Sequence, residues 1–227
     1  MPLNPKISKM KKLVFSIIAI GTLHVSVMAQ TKSLFDGKTT RGWHAYLQTG
    51  VGAWSVVDGA LQLDPKAGEG DLITNKEYEN FELSLEWKIA KGGNSGIIID
   101  VYEAPEFKET YATGIEMQVL DDKDAGDNKL ATHLAGALYD MRPPAHPAKP
   151  AGEWNKVKIR KQNGHLTFWM NGEKVIDTQI GSPEWQQMLD KSKFKTWKSF
   201  AAYPKGHIAL QNHGAQVAFR DIKILEL

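Results

Sequence analysis

The residues best suited to chemistry lie where a strand should turn polar side chains away from apolar ones. In Ile115-Glu116-Met117-Gln118-Val119-Leu120, the apolar Ile115, Met117 and Val119 share one face, leaving Glu116 and Gln118 on the other. Strand rise puts those two about 7 Å apart. A carboxylate there can serve as base, acid or metal ligand, and an amide beside it can orient a hydroxyl. The same pair also suits a plain solvated strand. In His207-Ile208-Ala209-Leu210-Gln211-Asn212-His213-Gly214, Ile208 and Leu210 should face inward, with His207, Gln211 and His213 outward. His213 ends that run before a glycine, where a side chain can reach into a cleft. Histidine titrates near neutrality and ligates metals, although a surface histidine without a role fits equally.

Three weaker constellations accompany these. With regular pairing, Arg220 falls on the face of Ile222 and Ile224, where an arginine needs a carboxylate or a ligand oxygen. Either a structural ion pair or the anchoring of an active-site carboxylate would meet that need. Gly92-Gly93-Asn94-Ser95-Gly96 allows close backbone approach, and Asn94 offers both donor and acceptor; a tight turn is the simpler reading. Asp121-Asp122 and Tyr139-Asp140-Met141-Arg142 place carboxylates in loops, where they either bind a hard cation such as Ca²⁺ or cap turns. The chain carries no G-x-S-x-G elbow, phosphate loop, H-E-x-x-H or dinucleotide fingerprint. Nor does it carry the closely spaced acids of sandwich glucanases, so direct hydrolysis by two carboxylates across one bond has weak support.

The elements that must hold these residues are strands. Phe81, Leu83, Leu85, Trp87 and Ile89 alternate with polar residues, as Val157 and Ile159 do with Lys156, Lys158 and Arg160. Both patterns predict half-buried antiparallel strands. Asp58-Gly59 and Asn171-Gly172 predict hairpin turns joining 54–57 to 60–63 and 166–170 to 174–178. Further strands are expected at 94–101, 114–120, 206–212 and 216–225. One helix is expected, capped by Ser182 with Pro183 in its first position and Trp185, Met188 and Leu189 on one face. Residues 121–152 read as long loops. Many short strands and one minor helix make an all-β sandwich or barrel.

Composition narrows the function classes. The chain has no cysteine, which removes disulfides, thiolate zinc sites and cysteine nucleophiles. A formal charge of +2 gives no basic field for nucleic acid. No apolar run after residue 30 can span a bilayer. Before it, Lys9, Lys11 and Lys12 precede an apolar stretch from Leu13 to Ile20, and Val27-Met28-Ala29 resembles a signal-peptidase site. Met10-Lys11-Lys12 is the better start for such a segment. The expected organisation is a signal peptide over 1–29 and one domain over 30–227, acting in the periplasm or outside the cell without a membrane anchor. An uncleaved anchor is the alternative.

Taken in order, several short motifs resemble one family. They are Leu34-Phe35-Asp36-Gly37-Lys38, Gly42-Trp43, Trp54-Ser55-Val56-Val57-Asp58-Gly59, Asn94-Ser95-Gly96-Ile97 and Glu116-Met117-Gln118-Val119-Leu120-Asp121. Gly136-Ala137-Leu138-Tyr139-Asp140, Lys149-Pro150-Ala151-Gly152-Glu153-Trp154-Asn155, Asn171-Gly172, the string from Gly206 to Gly214, and Phe219-Arg220 complete the series. Each is weak alone, but the order is similar to that of the bacterial 3-keto-disaccharide hydrolases, also described as 3-keto-glucoside 1,2-lyase or 3-keto-2-hydroxy-glucal hydratase domains. The resemblance covers about residues 33–227.

That resemblance implies a concanavalin A-like jelly-roll β-sandwich and an exported enzyme cleaving glycosides already oxidised at C3. It also implies a divalent metal in some members. A ketone at C3 acidifies the C2 proton, so a base can remove it, the C1–O bond can break by elimination, and water can add afterwards. On this reading Glu116 is the base or a metal ligand, and His213 binds metal or serves as acid. Arg220 orients Glu116 or steadies the enolate, and Asn94, Gln118, Asp140, Gln211 and Asp100 face the sugar. A sugar 3-oxidoreductase would supply the substrate. The chain departs from the family pattern at Asp100, where Arg or His is usual, at Asn212 in place of Asp, and at Ala218 in place of an aromatic. Asp100 would alter substrate choice, ligate a metal or weaken activity. A carbohydrate-binding module on the same fold is the competing function, and a structural or adhesion domain a third.

Overall fold

The computed structural model describes Met1 and residues 30–227; the signal segment expected over 1–29 otherwise lies outside the described residues. In chain order the strands are β1 (Lys32–Ser33), β2 (Trp43–Ala45), β3 (Trp54–Val57), β4 (Ala60–Leu63), β5 (Leu72–Thr74), β6 (Phe81–Ile89) and β7 (Asn94–Val101). They continue with β8 (Ile115–Leu120), β9 (Asn155–Gln162), β10 (His165–Met170), β11 (Glu173–Gln179), β12 (His207–Leu210) and β13 (Val217–Glu226). One α-helix, α1 (Pro183–Leu189), begins as expected, with Ser182 Oγ accepting from Trp185 N at 3.1 Å. The predicted turns at Asp58-Gly59 and Asn171-Gly172 join β3 to β4 and β10 to β11, with positive φ at all four residues.

The strands form two antiparallel sheets. The larger has the order β11-β10-β9-β6-β13-β4-β3, with β1 pairing against β13, and the smaller has the order β2-β5-β12-β7-β8. The core lies between them. Strict alternation along β6 sends Phe81, Leu83, Leu85, Trp87 and Ile89 inward, against Ile97, Ile99, Met117 and Val119 of the smaller sheet. Each such side chain contributes about 1.5–3 kcal/mol on leaving water. The result is an all-β jelly-roll sandwich with one short α-helix among the described residues.

Every residue of β8 is buried, including Glu116 and Gln118 on the face turned away from the core. That face is therefore covered as well. Residues 136–139 lie along the free edge of β8, with Gly136 N donating to Gln118 O and Tyr139 N to Glu116 O. A small apolar floor of Tyr46, Ile73, Ile98, Val101 and Ala209 occupies the middle of this face, with Tyr111 packed on it.

Two irregularities overturn expected side-chain directions. The β13–β6 pairing slips between Arg220 and Lys223, with Asp221 at φ +52°. Arg220 therefore points out of the larger sheet rather than onto the face of Ile222 and Ile224. In β7 an extra residue opposes β12, with Asp100 at φ +59°. This bulge turns Asp100 away from the outer face and into the space between the sheets.

Candidate active site on the outer face of the smaller sheet

Glu116 stands opposite Ile98, and Gln118 opposite Gly96. The missing side chain at position 96 is what admits the carboxyl, because a Cβ there would overlap Glu116 Oε1. Glu116 is 6% exposed and pairs with no cation within salt-bridge distance among the described residues. Burial pushes its pKa to about 8; the Lys193 charge opposes the rise, while Asp71 and Asp127 add to it. At neutral pH this carboxyl mostly holds its proton yet is close to titrating, which suits proton transfer. Gln118 Oε1 accepts from Val119 N at 3.1 Å, whereas its buried Nε2 has no partner. Asn94 Oδ1 is likewise buried without a partner. A free donor and a free acceptor thus sit on the same face as a protonatable acid. Unpaired buried polar atoms are costly and mark places where a ligand completes the bonding.

Loops supply the rest of the surroundings. A 3-10 turn at Lys193–Thr196 brings the Lys193 ammonium 4.4 Å from the Tyr139 ring centroid and 5.5 Å from that of Tyr111. Lys193 N donates to Asp140 Oδ2 at 2.6 Å. Asp140 Oδ1 lies 3.0 Å from His133 Nε2, and His133 Nδ1 lies 2.7 Å from Asp127 Oδ1. Tyr139 completes the chain by donating its hydroxyl to Asp127 Oδ2 at 2.9 Å. Burial alone would lower the pKa of His133, but its bonds to Asp140 and Asp127 outweigh burial and raise it. Asp140 is thus a holder of Lys193 and His133.

Across the apolar floor sits Asp71, 8% exposed. It accepts from Thr110 Oγ1 and, at 2.7 Å, from Asn212 N. Burial raises its pKa to about 6, against the pull of those bonds and of the nearby His213. A cleft of about 620 Å³ opens beside it, lined by Tyr46, Lys108, Glu109 and Asn212 among others. His213 lies exposed just beyond the end of β12, and Gln211 is buried with its N–H on Gly96 O.

The structure therefore brings together Glu116, Gln118, Asn94 and Gln211, with His213 at the Asp71 end and Asp140 behind Lys193. Two expected members stand elsewhere. Arg220 Nε donates to Glu86 Oε2 at 2.9 Å and its guanidinium lies 3.9 Å from the Trp154 ring, all on the opposite sheet. Asp100 forms a buried pair with Lys161, which also donates to Pro204 O at 2.6 Å. Sequence reasoning missed Lys193, Asp71, Asp127 and His133, which come from loops without periodicity. The dense Lys and aromatic run from Lys193 to Phe200 was the available signal for Lys193.

A resident divalent metal does not fit these residues. Among the described residues no three of His, Asp and Glu gather as ligands. An ammonium and an unpartnered amide N–H near Glu116 suit an oxyanion better than a cation. The Asp121 and Asp122 carboxylates are engaged by the backbone N–H groups of Gly92, Lys123 and Ala135.

Comparison with known proteins gives this face a chemical context. Residues 30–225 match the model of the 3-keto-alpha-glucoside-1,2-lyase-like domain. A 3-keto-disaccharide hydrolase of Bacteroides thetaiotaomicron is 34% identical over 222 aligned residues, covering 85% of this chain and 77% of that protein. A crystal structure of a provisionally named glycosyl hydrolase from Parabacteroides distasonis ATCC 8503 superposes with a TM-score of 0.81 at 31% identity, covering 87% of this chain and 94% of that one. A Bacillus subtilis protein with a galectin-like fold, at 12% identity and a TM-score of 0.52, covers 81% of this chain and 89% of its own and shares the fold alone. Sequence and architecture thus agree that this chain is a glycoside-acting enzyme belonging to the 3-keto-disaccharide hydrolase, or 3-keto-alpha-glucoside-1,2-lyase-like, family.

Proposed function

We propose that the enzyme cleaves 3-keto-glycosides by proton abstraction at C2, elimination at C1 and hydration, with Glu116 as the proton-transfer group. The observation that carries this reading is the buried Glu116 carboxyl beside the unpartnered Gln118 Nε2, with the Lys193 charge acting on it. With a pKa of about 8, about a tenth of Glu116 is ionised at pH 7, and that fraction is an unusually strong carboxylate base. It takes the C2 proton, and the electron pair moves into an enolate whose charge rests on the C3 oxygen. Gln118 Nε2–H and the Lys193 ammonium are the donors for that oxygen. Collapse of the enolate forms the C1=C2 bond and breaks C1–O, and the proton now on Glu116 goes to the leaving oxygen. Water then adds across C1=C2, so the net change is hydrolysis. Asn94, Gln211 and His213 hold sugar hydroxyls, and Asp71 fixes the far side of the ring.

The same proposal places the enzyme outside the cytoplasm, downstream of an oxidation that installs the C3 ketone. The decisive experiment incubates the protein with a 3-keto-disaccharide and its unoxidised parent in D₂O, with and without EDTA. Cleavage of the keto form alone, deuterium at C2 and indifference to EDTA are expected. Equal cleavage of both sugars, or full activity in Glu116→Gln, would refute the assignment. Binding without cleavage would favour the carbohydrate-module reading.

A further inference from the structure

The alternation of Lys156, Lys158 and Arg160 along β9 has no part in the site just described. These side chains leave the larger sheet on its outer face, opposite the Glu116 face. There a cleft of about 680 Å³ is lined by Ser84, Lys149, Lys156, Lys158 and Trp169, together with Asn171 and Gly172 of the β10–β11 turn. Three lysines line it and no Asp or Glu does, and Lys149 Nζ donates to Trp154 O at 3.3 Å. Strand register builds it as a row, since Ser84 pairs with Lys158 and Lys158 with Trp169. Lys158 Nζ sits 4.4 Å from the Trp169 ring centroid and 3.4 Å from Glu82 Oε2. Among the described residues, Lys149 and Lys156 have no carboxylate partner.

The Trp169 indole is partly exposed with the Lys158 ammonium over its ring, and its remaining apolar surface is a stacking platform for a pyranose ring. Ammonium groups flanking it, two of them uncompensated, add recognition of an anionic substituent. We infer that this cleft is a second, non-catalytic binding site for an acidic polysaccharide, in which a uronate ring stacks on Trp169 and its carboxylate meets Lys149 and Lys156. A single indole, rather than a series, fits one sugar ring better than the successive bases of a nucleic-acid strand. The near-balanced total charge gives the chain little general attraction for polyanions. Such a site would hold the enzyme on a charged glycan while the opposite face works on small keto-glycosides.

Affinity electrophoresis of the full chain in gels containing polygalacturonate, dextran, poly-L-glutamate or single-stranded DNA tests this. Polygalacturonate should retard the protein, and raising the salt should weaken the retardation severalfold. Dextran should not retard it, and poly-L-glutamate and DNA should do so at least tenfold more weakly. Trp169→Ala should weaken binding about tenfold, and the double variant Lys149→Glu/Lys156→Glu should abolish it. Trp169→Tyr should keep much of it, separating stacking from any folding defect. Cleavage of a small keto-glycoside should be unchanged in all three variants. No retardation by polygalacturonate, equal retardation by dextran, poly-L-glutamate or DNA, or wild-type binding by the charge-reversed variant would overturn the proposal.

Discussion

The two outer faces of this sandwich are built from the same kind of alternating strand, yet they treat charge in opposite ways. On the larger sheet, charges reach solvent and are either paired there or left free: Arg220 is paired with Glu86 and stacked on Trp154, Lys158 is paired with Glu82, and Lys149 and Lys156 have no carboxylate partner among the described residues. On the smaller sheet, Glu116 and Asp71 are buried and both pKa values are pushed upward by burial, to about 8 and about 6. Exposed pairs have little influence on one another and on stability. Buried groups are tuned by every neighbour, at a cost to the fold. The difference separates a surface that can bind from a surface that can react.

The sharpest way to break this division is at Glu116. Glu116→Gln keeps shape and burial but removes the titrating proton, and kcat on a 3-keto-disaccharide should fall about 10²–10⁴-fold. The same change should also show what the buried acid costs. The folded-state pKa is raised from 4.5 to about 8, so the folded protein holds a proton that the unfolded chain has lost in that window. Stability from this group is full below about pH 4.5 and is lost as pH rises through 8. Relative to wild type, Glu116→Gln should therefore gain stability at pH 9, on the order of 4–5 kcal/mol. Thermal melts at pH 9 and pH 5 check this, and the gain should be much smaller at pH 5.

Between the faces lies Asp100 with Lys161, each 3% exposed in its side chain. Lys161→Met strips a buried carboxylate of its cation and should cost about 3–5 kcal/mol. Chemical denaturation would measure the loss, while kcat should stay within a few-fold below the melting temperature. A selective loss of kcat without destabilisation would return Asp100 to the site.

Lys193 tests the electrostatics of the reacting face at smaller scale. Lys193→Met removes the charge that most opposes the rise of the Glu116 pKa. The limb of the kcat/KM–pH profile assigned to Glu116 should move to higher pH, and kcat should fall about tenfold through loss of an enolate donor. Lys193→Arg should leave the limb in place.

What was legible in the sequence follows from periodicity. The alternation in β6 and β9, the two turn dipeptides and the Ser182-Pro183 start all specified elements locally, and Glu116 and Gln118 were found because a period of two assigns faces. Arg220 was misplaced for the same reason in reverse, whereas Asp100 was set against the sugar by the family resemblance alone. Each sits at an irregularity, and one extra residue in a strand sends the following side chains to the other face. Asp71, Asp127 and His133 were invisible because their loops have no period and join the site only through tertiary contacts, and Lys193 had only its basic, aromatic run to mark it. The short β2 and β5, three residues each, were missed because three residues cannot display an alternation.

The smallest predicted effect is the most direct check that the faces are independent. Arg220 is 38% and Glu86 23% exposed in their side chains, and their contact is 2.7 Å. Arg220→Ala should cost about 0–1 kcal/mol as an exposed pair, plus a few tenths for the lost stacking on Trp154. It touches no atom of the Glu116 face, so kcat/KM on a small keto-glycoside should stay within about threefold of wild type. Parallel thermal melts and kinetics of Arg220→Ala and Arg220→Lys would measure both quantities. A hundredfold loss of kcat with an unchanged melt, in either variant, would mean that charge on the larger sheet reaches the reacting face through the core, and the division would have to be abandoned.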